Sequence, residues 1–366
     1  MEIHVNTRAM LGGWAALTLW LCAGCASTVE NYGLHDHFSG SEAVAGATST
    51  PGQCANTANA VWVEGASFHE CIRYFPSSDF KGGRVDRAIV FMEGDVLVGR
   101  GESSPNYEKW TPQRELDAAE LEQRRSGTAY LTLARPGVDG SSGDQKRRRT
   151  HYETLVMNAA LDAIKARYRI REFGLVGQSG GGGLVAALIA ERRDVICAVS
   201  SSGVTSVVFR ARAAGRTTDF TGTPFRDVWD PIDQLPRVKP MAGFRMFVTS
   251  DETDTDVDFG SQNDYVQAAL KAGLPIRQIM VHGAGSRHHQ TYRIGNRVVE
   301  DCMLGVSSDR IVRTYSGMEN LYNHMTVLAA HERAFAEGRS NDDALVGGAA
   351  GGGVDGTPDR DATIAR

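Results

Sequence analysis

Several protein classes are excluded by what this 366-residue chain lacks. Positive charge is not in excess. The formal net charge is −5, and the basic run Lys146-Arg147-Arg148-Arg149 reads as a solvated face, so no nucleic-acid partner is expected. The six cysteines show no zinc-site spacing. The apolar run Ala9 to Leu21 is too short for a good membrane span, which needs about 20 apolar residues. No internal repeat is present. What remains, 42% hydrophobic residues with 23% charged, suits a soluble globular protein that can bury a full core as one large domain or two small ones.

Glycine, by contrast, is concentrated where it carries chemistry. Phe173 to Ala190 reads FGLVGQSGGGGLVAALIA, with Ser179 inside Gly177-Gln178-Ser179-Gly180-Gly181, directly after a strand-like apolar run and directly before a helix-like one. A serine hydroxyl is useful as a nucleophile when a tight strand-to-helix turn holds it out of the sheet, and small flanking residues permit that turn. The N–H of Gly180, opening the helix, is placed to donate to an oxyanion on a substrate carbonyl. A phosphate-cradling loop would need Lys then Ser or Thr at the helix start, where Leu184 and Val185 stand. A dinucleotide fingerprint forced onto Gly181, Gly183 and Ala186 falls inside the helix, and the next strand ends in Ser200-Ser201-Ser202-Gly203 with no carboxylate for a ribose. No cofactor is expected.

Short apolar runs alternate with amphipathic ones. Strands are predicted at Val61 to Glu64, Cys71 to Phe75, Ala88 to Met92, Ala129 to Ala134, Phe173 to Val176, Val195 to Val199, Phe244 to Thr249 and Ile276 to Val281. Helices are predicted over Thr150 to Tyr168, after Ser179, over Tyr265 to Ala272 and over Leu321 to Ala336. This alternation implies an α/β fold: a mostly parallel sheet covered by helices on both faces, antiparallel only at its start, with the site at the carboxyl ends of the strands. Ser206 to Lys239, rich in Arg, Thr, Gly, Asp and Pro, reads as an insertion able to cap that site.

A nucleophilic serine needs a base, and the base needs a carboxylate to orient it. Ser250-Asp251-Glu252-Thr253-Asp254-Thr255-Asp256-Val257-Asp258 follows one late strand and His282-Gly283-Ala284-Gly285-Ser286-Arg287-His288-His289 follows the next. With this order of serine, acid and histidine, the chain resembles the α/β-hydrolase superfamily, closest to its prolyl-oligopeptidase-like and dienelactone-hydrolase-like branches, over roughly Val61 to Glu337. The resemblance implies an α/β-hydrolase fold and makes Asp254 the acid, with Asp256 as runner-up. It makes His288 the base, with His289 as close competitor. It also implies a second oxyanion donor in the loop after the third strand, Glu93-Gly94-Asp95-Val96, where the N–H of Asp95 or Val96 serves and Arg135 is a partner for the nearby negative charge. Calcium on Asp254, Asp256 and Asp258 is disfavoured, because Phe259 and Tyr265 stand where an EF-hand loop needs Gly and Glu. No metal is expected.

The two ends read differently from the middle. Residues 1–25 resemble an export signal ending in a bacterial lipobox, Ala23-Gly24-Cys25, which implies a lipid on Cys25, a membrane anchor, and a place in the cell envelope as an outer-membrane lipoprotein. Residues 26–55 are expected to form a flexible tether, 56–339 the α/β-hydrolase domain, with 206–239 as its cap insertion, and 340–366 a disordered Gly-, Ala- and Asp-rich tail. An exported chain permits disulfides, and Cys54 with Cys71 is favoured over the other pairings of Cys54, Cys71, Cys197 and Cys302. The expected activity is cleavage of a small ester or peptide substrate through an acyl-enzyme on Ser179. A binding or scaffold protein that kept the fold without turnover is the alternative.

Overall fold

The computed structural model describes residues 37–320. Its strands are β1 (Ala60–Gly65), β2 (Phe68–Pro76), β3 (Arg87–Met92), β4 (Leu97–Val98), β5 (Glu102–Ser103), β6 (Ala129–Leu133), β7 (Glu172–Gln178), β8 (Val195–Ser201), β9 (Arg245–Ser250) and β10 (Ile276–Met280). Eight of them make one sheet in the order β1-β2-β6-β3-β7-β8-β9-β10, and β4 pairs only with β5. Within the eight-stranded sheet only β2 runs against its neighbours, pairing antiparallel with β1 and β6, and the remaining pairings are parallel. The helices are α1 (Gly40–Ala45), α2 (Pro51–Ala55), α3 (Pro112–Ser126), α4 (His151–Tyr168), α5 (Gly180–Leu188), α6 (Val207–Ala213), α7 (Phe259–Lys271), α8 (Tyr292–Met303) and α9 (Ser308–Tyr315).

Period-2 alternation sends the strand side chains to two separate cores. In β3, Ala88, Val90 and Met92 join the cluster packed with α4, α5 and α7, while Ile89 and Phe91 join the cluster packed with α3, α8 and α9. Both faces are therefore covered, which is why the central strands read as continuous apolar runs. A disulfide between Cys197 and Cys302 ties β8 to α8 through the second core.

The tether expected over 26–55 does not extend through the described part of that stretch. Phe38 is buried against Phe75 and Tyr107. Thr50 caps α2 in a reciprocal arrangement with Gln53, and the Cys54–Cys71 disulfide, the pairing favoured from sequence, fastens α2 to β2. Closing that loop is worth about 3 kcal/mol on the chain-entropy argument. Cys25, residues 1–36 and the tail beyond 320, including the helix expected at Leu321 to Ala336, lie outside the described residues.

Helix α3 was not expected. It has a Thr111 cap, Pro112 at its start and Gly127 at its left-handed end. However, its buried face contains Glu115, Ala119 and Glu122 rather than an apolar stripe, so no hydrophobic period announces it.

Candidate active site

The turn after β7 places Ser179 at φ 54° and ψ −115°, a conformation that L-residues avoid. Two close backbone approaches hold it there. A Cβ on Gly177 would stand 2.5 Å from the Gly181 carbonyl carbon, and one on Gly181 would run into the Met92 carbonyl oxygen. The Ser179 N–H donates to the Ser201 carbonyl (2.8 Å), and the N–H groups of Gly183 and Val204 donate to the Ser179 carbonyl. The backbone is thus pinned from β8 and α5 while the side chain, half-buried, stands free. Gly94 packs over it, so that a Cβ there would stand 3.3 Å from Ser179 Cβ. The loop after β3 therefore lies against the nucleophile candidate, as a second oxyanion donor would require.

The acid and histidine loops sit beside one another at the ends of β9 and β10. Both oxygens of Asp254 accept from His289 Nδ1, at 3.1 and 2.9 Å. Asp254 Oδ1 also accepts the N–H groups of Asp256 and Val257, so its carboxylate is fixed as well as paired. The runner-up acid, Asp256, is engaged elsewhere, accepting from Arg287 Nη1 at 2.7 Å.

The structure pairs His289, not the expected His288, with Asp254. His288 has φ 54° and a side chain 52% exposed, with its Nδ1 3.8 Å from Asp251, while the His289 side chain is 14% exposed and faces Asp254. The Gly283-Ala284-Gly285 turn causes the difference: the His288 N–H donates to the Gly285 carbonyl, and Ala284 bridges antiparallel to Gln290. The doublet is therefore split, one ring outward and the next inward.

Gln178, the residue before the nucleophile candidate, carries a role that sequence reasoning missed. Its Nε2 donates to the His289 carbonyl (2.9 Å), and its Oε1 accepts the Thr291 N–H (3.1 Å). Both ends of one amide clasp the histidine loop to the elbow, though no hydrogen bond joins Ser179 Oγ to His289 among the described residues. Asp251 pins the loops together from the other side. Its carboxylate accepts from the Thr253 hydroxyl and the N–H groups of Thr253 and Gly283. Burial alone would raise this carboxyl, but those bonds and the His288 charge hold it below the usual range.

The basic run 146–149 is not the solvated face expected of it, because Arg148 and Arg149 are buried. They converge with Arg135 on Asp95: Arg135 Nη1 donates to Oδ1 (2.9 Å), while Arg148 Nε (3.1 Å) and Arg149 Nη2 (2.8 Å) donate to Oδ2. Burial would raise the Asp95 carboxyl, but the charges of Arg149, Arg148 and Arg135 overturn that and hold it well below the carboxylate range. Arg135 was the partner suggested by the sequence; the other two were hidden in a run whose composition alone suggests solvent.

Among the described residues no group of three or more His, Cys, Asp or Glu side chains is placed to hold a metal ion. In the Asp-rich loop, Asp254 and Asp256 are occupied as above, and Asp258 caps α7 through the Ser261 N–H.

No family model matches the chain, and no curated protein matches it. The architecture, a mostly parallel eight-stranded sheet covered on both faces, is that of the α/β-hydrolase fold. Solved structures similar to the chain include Est1E from Butyrivibrio proteoclasticus, at 12% identity and a TM-score of 0.45, covering 68% of this chain and 98% of that one. The Pyrococcus furiosus esterase Pf2001 is 14% identical with a TM-score of 0.48, over 71% of this chain and 96% of that one. Pyrococcus horikoshii acylaminoacyl peptidase is 12% identical with a TM-score of 0.47, over 72% of this chain but only 46% of that one. The reading of the site rests on its own geometry.

Proposed function

We propose that the protein is a serine hydrolase that cleaves a carboxylic ester or amide through an acyl-enzyme on Ser179. The observation that carries this reading is the clasp that holds the Asp254–His289 pair beside a serine in a strained strand-to-helix turn. With Nδ1 committed to Asp254, Nε2 of His289 is the nitrogen left to act as base. Ser179 Oγ attacks the substrate carbonyl and its proton passes to that nitrogen. The oxyanion is received by the N–H of Gly180 and the N–H of Asp95. Collapse expels the alcohol or amine, which takes the proton, and water then releases the acid by the same route in reverse.

Fluorophosphonate labelling tests the reading directly. Ser179→Ala should remove labelling and lower turnover by about 10^4-fold or more, since the hydroxyl contributes chemistry and little packing. His289→Ala should be nearly as damaging, whereas His288→Ala should retain most activity. Full hydrolysis by the Ser179→Ala protein would end the proposal. We also propose export and lipidation at Cys25, supported by the lipobox-like Ala23-Gly24-Cys25 and by two disulfides, which belong in an oxidising compartment. Palmitate uptake that persists in Cys25→Ser would exclude the anchor.

A further inference from the structure

The three guanidinium groups on Asp95 are not equally occupied. Arg135 uses all three nitrogens on protein acceptors: Nε and Nη2 donate to Glu153, and Nη1 to Asp95 and the Glu93 carbonyl. Arg148 does the same, giving Nε to Asp95, Nη1 to the Gln145 carbonyl and Nη2 to the carbonyls of Leu97 and Gly99. Arg149 gives only Nη2, to Asp95. Its Nε and Nη1 have no hydrogen-bond partner among the described residues, although its side chain is only 7% exposed. Neither nitrogen is among the fully buried, unpartnered atoms, so both remain open to solvent or to a ligand.

The place of those donors makes them informative. A Cβ on Gly180, the residue after Ser179, would stand 2.9 Å from Arg149 Nη1. The unused face of Arg149 therefore lies against the first turn of α5, next to the candidate oxyanion donor. The backbone of Arg149 is itself in the left-handed region, at φ 65°, held there by its N–H donating to Glu153 and its carbonyl accepting from Trp229. Strain of this kind at a non-glycine residue persists only where the surroundings impose it.

Local charge points the same way. The ion pairs of Arg135, Arg148 and Arg149 are with Asp95 and Glu153, three cations against two anions, and Arg135 acts on Asp139 as well. Arg210, from the insertion that reaches toward this side, adds a fourth cation. Burial and the charge of Arg149 both pull its guanidinium down, while Asp258, Asp256 and Asp95 oppose them.

We propose that Arg149 is a specificity residue that receives a carboxylate on the substrate, so that the preferred substrate is an ester or amide whose acyl part bears a free acid group. The inference rests on the serine-hydrolase reading of the same site. A planar guanidinium anchored through Nη2 is held in orientation, and its open Nη1 edge, the one that faces Gly180, can take a carboxylate, with most gain where water is scarce. The oxyanion has two neutral backbone donors available, whereas a permanent cation beside them attracts an anion already in the ground state, as a substrate carboxylate requires.

The test compares two activated esters of equal acyl length, 4-nitrophenyl hydrogen glutarate and 4-nitrophenyl valerate. Wild type should favour the hemiester in kcat/KM, and Arg149→Gln should lose roughly 10- to 100-fold more on the hemiester than on valerate, with the difference in KM. Arg149→Lys, which keeps the charge without the fork, should fall between, and it serves if the glutamine variant does not fold. Equal losses on both esters, or no preference in wild type, would overturn the proposal in favour of an oxyanion or purely structural role. Titration of the Ser179→Ala protein with glutarate reads the arginine without turnover. Binding there that Arg149→Gln abolishes supports the site even if fluorophosphonate fails to label Ser179 in wild type, which would defeat the hydrolase reading alone. No binding in either protein overturns the site.

Discussion

Glu93 and Asp95 are separated by one glycine, on the loop that packs over Ser179, and their surroundings drive them in opposite directions. Asp95 faces Arg135, Arg148 and Arg149 and is held as a firm anion. Glu93 lies toward Glu115, Asp139 and Arg114. Burial raises its carboxyl, and the Arg114 charge and the Gly94 N–H offset this only in part. Burial and the charge of Glu93 likewise push the Asp139 carboxyl up to about 7, and both raise Glu115 as well. The loop thus straddles a boundary between an arginine-rich and an acid-rich interior. Two carboxylates with the same intrinsic chemistry take opposite protonation preferences because of what lies behind them.

The sharpest way to break this contrast is to neutralise the anion on the arginine side. Asp95→Asn leaves three buried guanidinium groups without their common charge and should cost about 3 to 5 kcal/mol, read as a fall in the urea midpoint. A loss below about 1 kcal/mol would show that the arginines do not depend on it.

On the acid side the expected effect is smaller and depends on pH. Between the unfolded carboxylate value near 4 and the folded value of about 7, Asp139 holds a proton in the native state that the unfolded chain has released. Its contribution is therefore fully present at the acid end, is lost as pH rises toward about 7, and changes no further above that. Asp139 has φ 53°, which asparagine tolerates, so Asp139→Asn should imitate the protonated form without backbone strain. Wild type should lose about 2 to 3 kcal/mol more than this variant between pH 5 and pH 8, and parallel pH profiles would contradict the assignment.

The smallest effect belongs to Glu93→Gln, which replaces a carboxyl disposed to keep its proton by a neutral isostere. A change under about 1 kcal/mol is expected, against the much larger cost of the matching change at Asp95. Equal costs at the two positions would erase the boundary.

The parts of the molecule that were legible in the sequence are those where one physical requirement dominates. Every predicted strand from Val61 to Val281 matches a strand of the sheet to within a few residues, because burial on both faces forces continuous apolar runs. The elbow was legible for a related reason: backbones as close as those at Gly177 and Gly181 admit no side chain. The histidine was not. Successive residues face opposite ways, so His288 and His289 are told apart only by the phase of a turn that no residue type fixes. Arg148 and Arg149 were misjudged because a charged run looks the same whether its partners are water or a distant aspartate. Gln178 could be recognised only with the late strands in place, since its amide partners are 111 and 113 positions away.

That separation sets an order of events. A ribosome delivers the chain from its N-terminus, so the glycine turn bearing Ser179 can form while Asp254, His289 and the strands that carry them are still unmade. During that interval neither the acid loop nor the histidine loop stands beside the turn. The turn meets the histidine loop only when the last two strands dock and both arms of the Gln178 amide find it, so that on the proposed chemistry nascent chains, however long they linger, carry no premature nucleophile.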